Sequence, residues 1–244
     1  MQVTTNRKFI DSRRIYGRWA TVGGFVCLLS GLGISMLLNP PVDSIYWPIA
    51  YASLVPGFFL ISYGKNNTIR WGINPRVDEA LVTALKSFDS RFHLYNYVSG
   101  LPADNLMVSP NGVFVFELKP IMGDFINRGA KWSRKRGALG FLLAFGEGGL
   151  GNPTKDVLRT QASVRQYLTN LLGEEQAAEV PVEPIVVFTH PRATVTSEEP
   201  DVPVVNVKEL QVLVRKQLAR DKMNLATYRR LAQELRAGSA ERSK

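Results

Sequence analysis

Residues 103–119 read ADNLMVSPNGVFVFELK and predict the centre of a β-sheet. Two apolar runs, residues 104–108 and 113–119, flank the sequence Ser-Pro-Asn-Gly, which is a strong hairpin turn signal. Residues 113–116 are apolar on both faces, as expected for a central strand that helices cover on either side. Glu117 and Lys119 near the end of such a strand indicate charges that are paired or used in chemistry.

The hairpin brings a third charged residue to the same side of the sheet. With Asn111-Gly112 as the loop, Asp104 faces Lys119, whereas with Pro110-Asn111 as the loop it faces Glu117. Because Glu117 and Lys119 share a face, either register places all three side chains together unless a bulge intervenes. Two carboxylates and a backbone carbonyl can hold a hard divalent cation, which polarises a phosphodiester. A lysine beside them can orient water or stabilise developing negative charge.

The segments around this hairpin predict an α/β fold, on the border of α+β. The patterns predict helices over residues 75–89, from 152 to about 172, 208–220 and 225–236, and strands over residues 92–98, 185–189 and 202–207. Residues 120–151 are rich in glycine and basic side chains, and we expect an irregular stretch there. The order of elements predicts a mixed sheet flanked by helices.

The first quarter of the chain predicts a two-helix transmembrane hairpin. Residues 19–42 and 44–64 contain no charged side chain, and about 20 helical residues cross a hydrocarbon core of about 30 Å. Asn39-Pro40-Pro41 is typical of a tight turn between two such helices. A cleaved signal peptide and a pair of buried core helices are the alternatives, and the length and pairing of the runs favour the hairpin.

Basic residues predict the orientation of this hairpin in the cell membrane. They lie before the first run and after the second, and the connecting loop has none, so the positive-inside rule places both termini in the cytoplasm. We expect a basic N-terminal segment (residues 1–18), the hairpin (19–64), a linker (65–74), a soluble domain (75–237) and a frayed tail (238–244). The basic residues are Arg7, Lys8, Arg13, Arg14, Arg18, Lys65 and Arg70.

The composition limits the metals that the chain could bind. Of its 244 residues, Cys27 is the single cysteine, and His93 and His190 are the two histidines. These side chains exclude an intramolecular disulfide and give poor support to a zinc site. Any metal would be held by oxygen ligands, which favours magnesium or manganese.

A basic cluster follows the predicted hairpin, in a chain of net charge +9. It could bind phosphates while its tryptophan stacks on a base. It could equally face anionic lipid, or be a solvated loop without a role. The cluster consists of Arg128, Lys131, Trp132, Arg134, Lys135 and Arg136.

Asp104, followed across the hairpin by Glu117-Leu118-Lys119, resembles the D…(D/E)xK signature of the restriction-endonuclease-like nucleases. The closer resemblance is to the nuclease-related domain family, NERD. There a helix with an early acid precedes an aspartate, a "GVFVxExK" strand, a glycine and an "NP" helix with glutamine. This chain supplies Glu79, Asp104, residues 112–119, Gly123, Asn152-Pro153 and Gln161 in that order, so the resemblance covers residues 75–188.

The resemblance implies a restriction-endonuclease-like sheet and a role for each matched residue. Asp104 and Glu117 would bind Mg²⁺ or Mn²⁺, Lys119 would be the catalytic lysine, and Glu79 an auxiliary acid. Gln161 would contact the site or the DNA.

In one position the chain departs from the family pattern. The family often has glutamine three residues after the proline of the "NP" helix, where this chain has Asp156. The implied function is metal-dependent hydrolysis of phosphodiesters in nucleic acid, with DNA favoured, by a domain anchored to the lipid bilayer. The alternative is a non-catalytic, membrane-tethered module of the same fold that binds nucleic acid or lipid. The sequence predicts no oligomeric state.

Overall fold

The computed structural model describes residues 1–37, 41, 44–72, 75–135, 150–219 and 223–242. Asn39, Pro40 and Asn74, to which the sequence assigns a turn and a helix start, lie outside the described residues. The described part of the chain forms two compact units. The hairpin unit contains residues 8–72, and the sheet unit contains residues 1–7 together with residues 75–135 and 150–242.

The hairpin unit consists of two antiparallel helices, α1 (Arg7–Leu37) and α2 (Tyr46–Asn67), and a π-helical turn, Thr68–Gly72. A Cβ atom added to Gly24 would lie 2.9 Å from the carbonyl oxygen of Gly57, so the two backbones approach closely. Small residues at such a contact are typical of helices that pack in lipid. Those buried along the contact recur every seventh position: Gly17, Gly24 and Gly31 in α1, and Ala50, Gly57 and Gly64 in α2.

Around this contact the hairpin unit exposes large apolar side chains, among them Phe25, Leu29, Val55 and Phe59. In the described part of the chain, one helix, Arg7–Met36, is long and apolar enough to cross a membrane. Helix α2 is free of charge up to Gly64, but two prolines and several tyrosines reduce its apolar content.

The sheet unit contains a mixed six-stranded sheet in the order β1-β2-β3-β4-β7-β9 and a three-stranded sheet in the order β6-β5-β8. Strands β2, β3 and β4 are antiparallel, whereas β1 runs parallel to β2, and β7 parallel to both β4 and β9. The predicted mixed α/β fold is therefore confirmed. The strands are β1 (Gln2–Thr5), β2 (His93–Asn96), β3 (Asn105–Ser109), β4 (Gly112–Lys119), β5 (Gly123–Arg128), β6 (Lys131–Lys135), β7 (Val182–Phe188), β8 (Ala193–Glu198) and β9 (Val204–Asn206).

Helices cover both faces of the main sheet. One apolar layer joins α3 and α6 to residues such as Met107 and Phe114. The other joins α4 and α7 to residues such as Val113 and Val115, and Phe125 of the small sheet belongs to it. The helices of this unit are α3 (Val77–Leu85), α4 (Pro153–Leu172), α5 (Glu174–Ala178), α6 (Leu210–Leu218) and α7 (Leu225–Arg242).

Strand β1 is not predicted by the sequence. It adds to the edge of the main sheet, where the Gln2 amide donates to the Phe92 carbonyl oxygen at 2.8 Å and the Asn6 amide to that of Asn96 at 3.0 Å. Only pairing with a strand distant in sequence stabilises it, so no local pattern reveals it.

The expectation of an irregular stretch over residues 120–151 is wrong for β5 and β6. Strands β5 and β6 form an antiparallel hairpin of their own, in which Phe125 and Asn127 are buried, while Lys131 and Lys135 are exposed. Only one face of the hairpin is covered, and its exposed face is basic, so the apolar alternation that identifies a strand is weak.

Candidate active site

The hairpin of β3 and β4 has the register in which Pro110-Asn111 forms the loop. Ser109 pairs with Gly112, and Leu106 pairs with Val115. Each step back along β3 matches a step forward along β4, so two further steps of this register would set position 104 opposite position 117. Of the two registers that the sequence allows, the structure has the one with the loop at Pro110-Asn111, and the pairing ends at Leu106 and Val115, two residues short of Asp104 and Glu117.

The end of β4 turns its two charged side chains toward α4. Val113 and Val115 belong to the apolar layer that contains α4, and side chains alternate along a strand. Glu117 and Lys119 therefore lie on the same face as Val115, two and four residues further along the strand. Parallel pairing with β7 continues to Lys119 and Phe188, so both charged residues lie within the hydrogen-bonded part of the strand.

Lys119 makes two ion pairs at this position. Its Nζ lies 2.9 Å from Glu117 Oε1 and 3.3 Å from Asp156 Oδ2. The Lys119 side chain is only 16% exposed, against 27% for Glu117 and 40% for Asp156. The ammonium group is thus enclosed between a strand carboxylate and a helix carboxylate, and one edge of the cluster stays open to solvent.

Asp104 lies just before β3, with an exposed side chain. Its backbone carbonyl oxygen accepts a hydrogen bond from the Tyr97 amide at 2.6 Å. Tyr97 has a φ of 56°, which is uncommon for a bulky residue. Such a conformation persists where the surroundings enforce it, so this contact fixes the backbone of Asp104 against the end of β2.

The structure does not bring Glu79 to this cluster. Glu79 lies in the first turn of α3, a helix that packs on the opposite face of the sheet from α4. Its carboxylate accepts the Arg76 amide at 3.0 Å and forms an ion pair with the Arg76 guanidinium at 3.0 Å. These contacts form a capping box that stabilises the start of α3.

Gln161 also lies away from Lys119. Its Nε2 donates to the carbonyl oxygen of Val182 at 2.6 Å. Val182 pairs with Val113 near the beginning of strands β7 and β4, whereas Lys119 pairs with Phe188 at the other end of the two strands. Helix α4 runs back along the sheet, so its first turn meets Lys119 and Gln161 meets the beginning of the strands.

The basic residues of the small sheet divide between its two faces. Lys131 and Lys135 are exposed. Arg128 is exposed as well and forms an ion pair with Glu198 at 2.6 Å, which raises the pKa of Arg128 and lowers that of Glu198. Arg134 turns to the other face, where it donates to the Met122 carbonyl oxygen at 2.7 Å and lies over the Phe125 ring. Arg136 lies outside the described residues.

Trp132 packs into the fold. Its indole Nε1 donates to Thr154 Oγ1 at 2.8 Å, and its ring lies 5.8 Å from the ring of Phe188. These contacts hold β6 against the first turn of α4. In this arrangement the ring is engaged by the protein and not presented to a base.

The side chains at the end of β4 fit a magnesium-type cation by their chemistry. In the described residues, no three acidic or histidine side chains converge as a complete metal cluster. Mg²⁺, however, is commonly held by one or two carboxylates, with water and substrate phosphates completing its shell. Glu117, together with Asp104 two residues beyond the part of β3 that pairs with β4, supplies two carboxylates of that kind. The cluster of Lys119, Glu117 and Asp156 also contains two carboxylates and one ammonium group, so it carries excess negative charge.

Asp156 is the residue at this site to which the sequence assigns no role. It occupies the position three residues after Pro153 where the family pattern often has glutamine. The departure at that position was the available signal, because the first turn of a helix that begins at Asn152-Pro153 points to the end of the neighbouring strand. The sequence instead assigns the glutamine role to Gln161.

Comparison with protein families gives a match over most of the central part of the sheet unit. Residues 76–189 match the model of the NERD family, described as the nuclease-related domain. No curated protein and no solved structure matches the chain. The match begins one residue before α3 and ends one residue after β7, so it covers the central hairpin, α4 and the Lys119 cluster. Residues 76–189 of the sheet unit are therefore recognised as a NERD, or nuclease-related, domain.

Proposed function

We propose that this protein is a membrane-anchored nuclease that hydrolyses phosphodiesters in nucleic acid, DNA first among them, at the cytoplasmic face of the membrane. The observation that carries the proposal is the enclosure of Lys119 between Glu117 and Asp156 at the end of β4. This cluster lies within the stretch that matches the nuclease-related domain.

The residues at the end of β4 would divide the chemistry between them. Glu117 and Asp104 would hold Mg²⁺ or Mn²⁺, which supplies Lewis-acid activation of the phosphodiester when bound. Lys119 would donate hydrogen bonds to a non-bridging phosphate oxygen and stabilise the charge that develops on it. Water attacks phosphorus and loses a proton, the ester P–O bond breaks, and the leaving oxygen takes up a proton, so one water is consumed for each phosphodiester cleaved.

The exposed face of the small sheet would bind the nucleic-acid backbone. Lys131 and Lys135 alternate with the half-buried Trp132 and Arg134 along β6 and so present two ammonium groups on one face. Strand β5 begins four residues after Lys119, and Trp132 ties β6 to the first turn of α4. These connections support a backbone-binding surface that continues from the cluster.

The path of the chain supports two membrane crossings. Residues 1–7 and residues 75–135 belong to one folded unit, and α1 and α2 lie between them in sequence. If α1 crosses the membrane, the chain must cross again before it re-enters the sheet unit. Helix α2 follows α1 and has 22 residues, a length of about 33 Å, so by its length and place in the chain it would provide the second crossing.

The basic residues support the orientation of this anchor. Arg13, Arg14 and Arg18 lie in the first turns of α1, while Lys65 and Arg70 lie at the end of α2 and in the turn after it. Positive charge is therefore concentrated at the ends of the hairpin that join the sheet unit. The positive-inside rule then assigns the sheet unit and both termini to the cytoplasm.

Cleavage by the purified full-length chain in detergent micelles tests the enzymatic part. Labelled duplex DNA, single-stranded DNA and RNA are incubated with Mg²⁺ or with EDTA. We expect Mg²⁺-dependent cleavage that Lys119→Ala reduces by about 100-fold or more. Lys86→Ala, which removes an exposed lysine at the end of α3, is the matched control and should keep the wild-type rate.

Equal cleavage by wild type and Lys119→Ala would overturn the nuclease assignment. If neither protein cleaves but both bind DNA with a steep salt dependence, the chain is a tethered binding module of the same fold. Preference for anionic vesicles over DNA would instead indicate a lipid-binding module. For the anchor, we expect the protein to stay with membranes in alkaline carbonate, and release into the supernatant would contradict it.

A further inference from the structure

We propose that Asp156 is a positioning residue that holds Lys119 in place while Glu117 binds a divalent cation. The inference rests on the proposed function and adds to it a role for a residue at which the chain departs from the family pattern. It is carried by the contact of Asp156 Oδ2 with Lys119 Nζ at 3.3 Å.

The Asp156 side chain is not needed to cap its own helix. Asn152 does this, because its Oδ1 accepts the Lys155 amide at 3.0 Å and its backbone carbonyl accepts the Asp156 amide at 3.0 Å. The Asp156 carboxylate instead reaches across to β4. An acid in the first turn of a helix is ordinarily explained by the helix dipole, but here it has a specific cationic partner.

The backbone of Asp156 is held by contacts on both sides of the helix start. Asn152 Nδ2 donates to the Ala130 carbonyl oxygen at 3.0 Å, and Thr154 Oγ1 accepts the Trp132 indole at 2.8 Å. Pro153 and Thr154 are buried. A carboxylate on such a fixed turn can hold a lysine at a defined position without reorganisation of the backbone.

The charges at the cluster show why a second carboxylate matters. Lys119 and a divalent cation would compete for Glu117, because both are positive and Glu117 is a partner of each. Asp156 gives the ammonium group an anionic partner that the cation does not require. Lys119 can then leave Glu117 to the cation and remain beside the reacting phosphate.

Asp156 therefore acts on cation binding through Lys119, and a double-mutant cycle measures this coupling. Mn²⁺ binding to the full-length chain is measured by titration calorimetry for wild type, Asp156→Asn, Lys119→Met and the double variant. We expect Asp156→Asn to weaken Mn²⁺ binding by about 10-fold, as is typical for groups that orient a metal ligand. In the Lys119→Met background the same substitution should weaken binding at least threefold less.

Two results overturn the proposal while leaving the proposed nuclease intact. An equal loss of Mn²⁺ affinity in both backgrounds would make Asp156 a direct ligand of the cation. No change in affinity, with only a lower melting temperature, would make it a helix-stabilising acid. If wild type binds no Mn²⁺ and cleaves nothing, the proposed nuclease function fails, and the positioning role fails with it.

Asp156→Glu serves as the matched variant, because it keeps the charge and lengthens the side chain by one methylene. We expect it to fold as wild type and to recover most of the Mn²⁺ affinity that Asp156→Asn loses. An Asp156→Glu protein that binds Mn²⁺ as weakly as Asp156→Asn would contradict a role that depends on negative charge.

Discussion

The ammonium nitrogen of Lys119 lies 3.3 Å from a carboxylate oxygen of Asp156, across the gap between the end of β4 and the first turn of α4. With Glu117 on the other side of the same ammonium, the cluster carries two negative charges against one positive charge. Excess negative charge at one end of a strand attracts a divalent cation. It would also repel a phosphodiester unless a cation intervenes.

Bound Mg²⁺ should therefore stabilise the folded protein. A ligand present at 100 times its Kd adds about 2.7 kcal/mol to the free energy of unfolding. We expect the melting temperature of the full-length chain in detergent to rise with Mg²⁺ concentration. Glu117→Gln and Asp104→Asn should abolish this rise, as measured by differential scanning fluorimetry.

The matched control for this prediction is Glu174→Gln. Glu174 is exposed and follows the far end of α4, a helix of 20 residues and so about 30 Å long. The variant should keep the full Mg²⁺-dependent rise. A rise that persists in Glu117→Gln would place the cation elsewhere in the molecule.

Lys131 and Lys135 should contribute to nucleic-acid affinity through phosphate contacts. The plot of log K against log salt concentration has a negative slope, and each phosphate contact that is lost reduces the magnitude of this slope by about 0.9. We expect the double variant Lys131→Ala/Lys135→Ala to bind duplex DNA more weakly, with the magnitude of the slope reduced by about 2. Fluorescence anisotropy at several salt concentrations measures both quantities.

Lys86→Ala/Lys216→Ala removes the same charge from exposed positions on α3 and α6, which cover the other face of the main sheet. It is the matched control for a general effect of net charge. Equal losses of affinity and slope in the two double variants would show that the small sheet has no special role.

The central elements could be predicted because their signals are local. The apolar runs around Pro110-Asn111 identify β3 and β4, and the cap at Asn152-Pro153 identifies α4. Strand β1 could not be predicted, since its hydrogen bonds go to residues near Phe92 and Asn96. The same limit applies to the site, because Asp156 meets Lys119 only through the packing of α4 on the sheet.

His93 should make the stability of the sheet unit depend on pH. It is buried, and its Nε2 lies 2.5 Å from Arg236 Nη2. Burial first, and then the positive charge of Arg236, lower the pKa of His93 from its usual 6.5. The unfolded chain therefore takes up a proton more readily than the folded chain does.

Because the folded-state pKa is depressed, the stability associated with neutral His93 is fully present above pH 6.5 and decreases as the pH falls below it. One proton of linkage gives a slope of at most about 1.4 kcal/mol per pH unit. We expect His93→Gln to flatten the dependence below pH 6.5 in urea titrations, and Arg236→Gln to reduce it. An unchanged slope in His93→Gln would assign the dependence to other groups.

Close contact between α1 and α2 should make Gly24 intolerant of a side chain. An added Cβ would lie 2.6 Å from Ile61 Cγ1 and 2.9 Å from the Gly57 carbonyl oxygen. Gly24→Ala should destabilise the helix pair by about 1–3 kcal/mol, as overpacking does. Gly33→Ala, which meets nothing within 4 Å, is the control. Unfolding in mixed detergent micelles with increasing SDS should separate the two variants, and equal midpoints would contradict this packing.

Strand β1 makes the stability of the sheet unit depend on residues that precede the helices α1 and α2. Gln2→Pro removes the amide that donates to the Phe92 carbonyl oxygen, whereas Gln2→Ala keeps it. We expect Gln2→Pro to lower the free energy of unfolding by about 1–3 kcal/mol, because a buried acceptor loses its partner. Gln2→Ala should remain close to wild type in the same urea titration.

The same contact predicts how a soluble fragment behaves. A fragment that begins at Pro75 lacks β1 and leaves β2 as an unpaired edge, which favours aggregation. Fusing residues 1–7 directly to Pro75 through a flexible linker restores the strand. We therefore expect the fused chain to be monomeric and more stable than the simple truncation, by size-exclusion chromatography and thermal unfolding. Equal behaviour of the two fragments would show that β1 contributes little to the sheet.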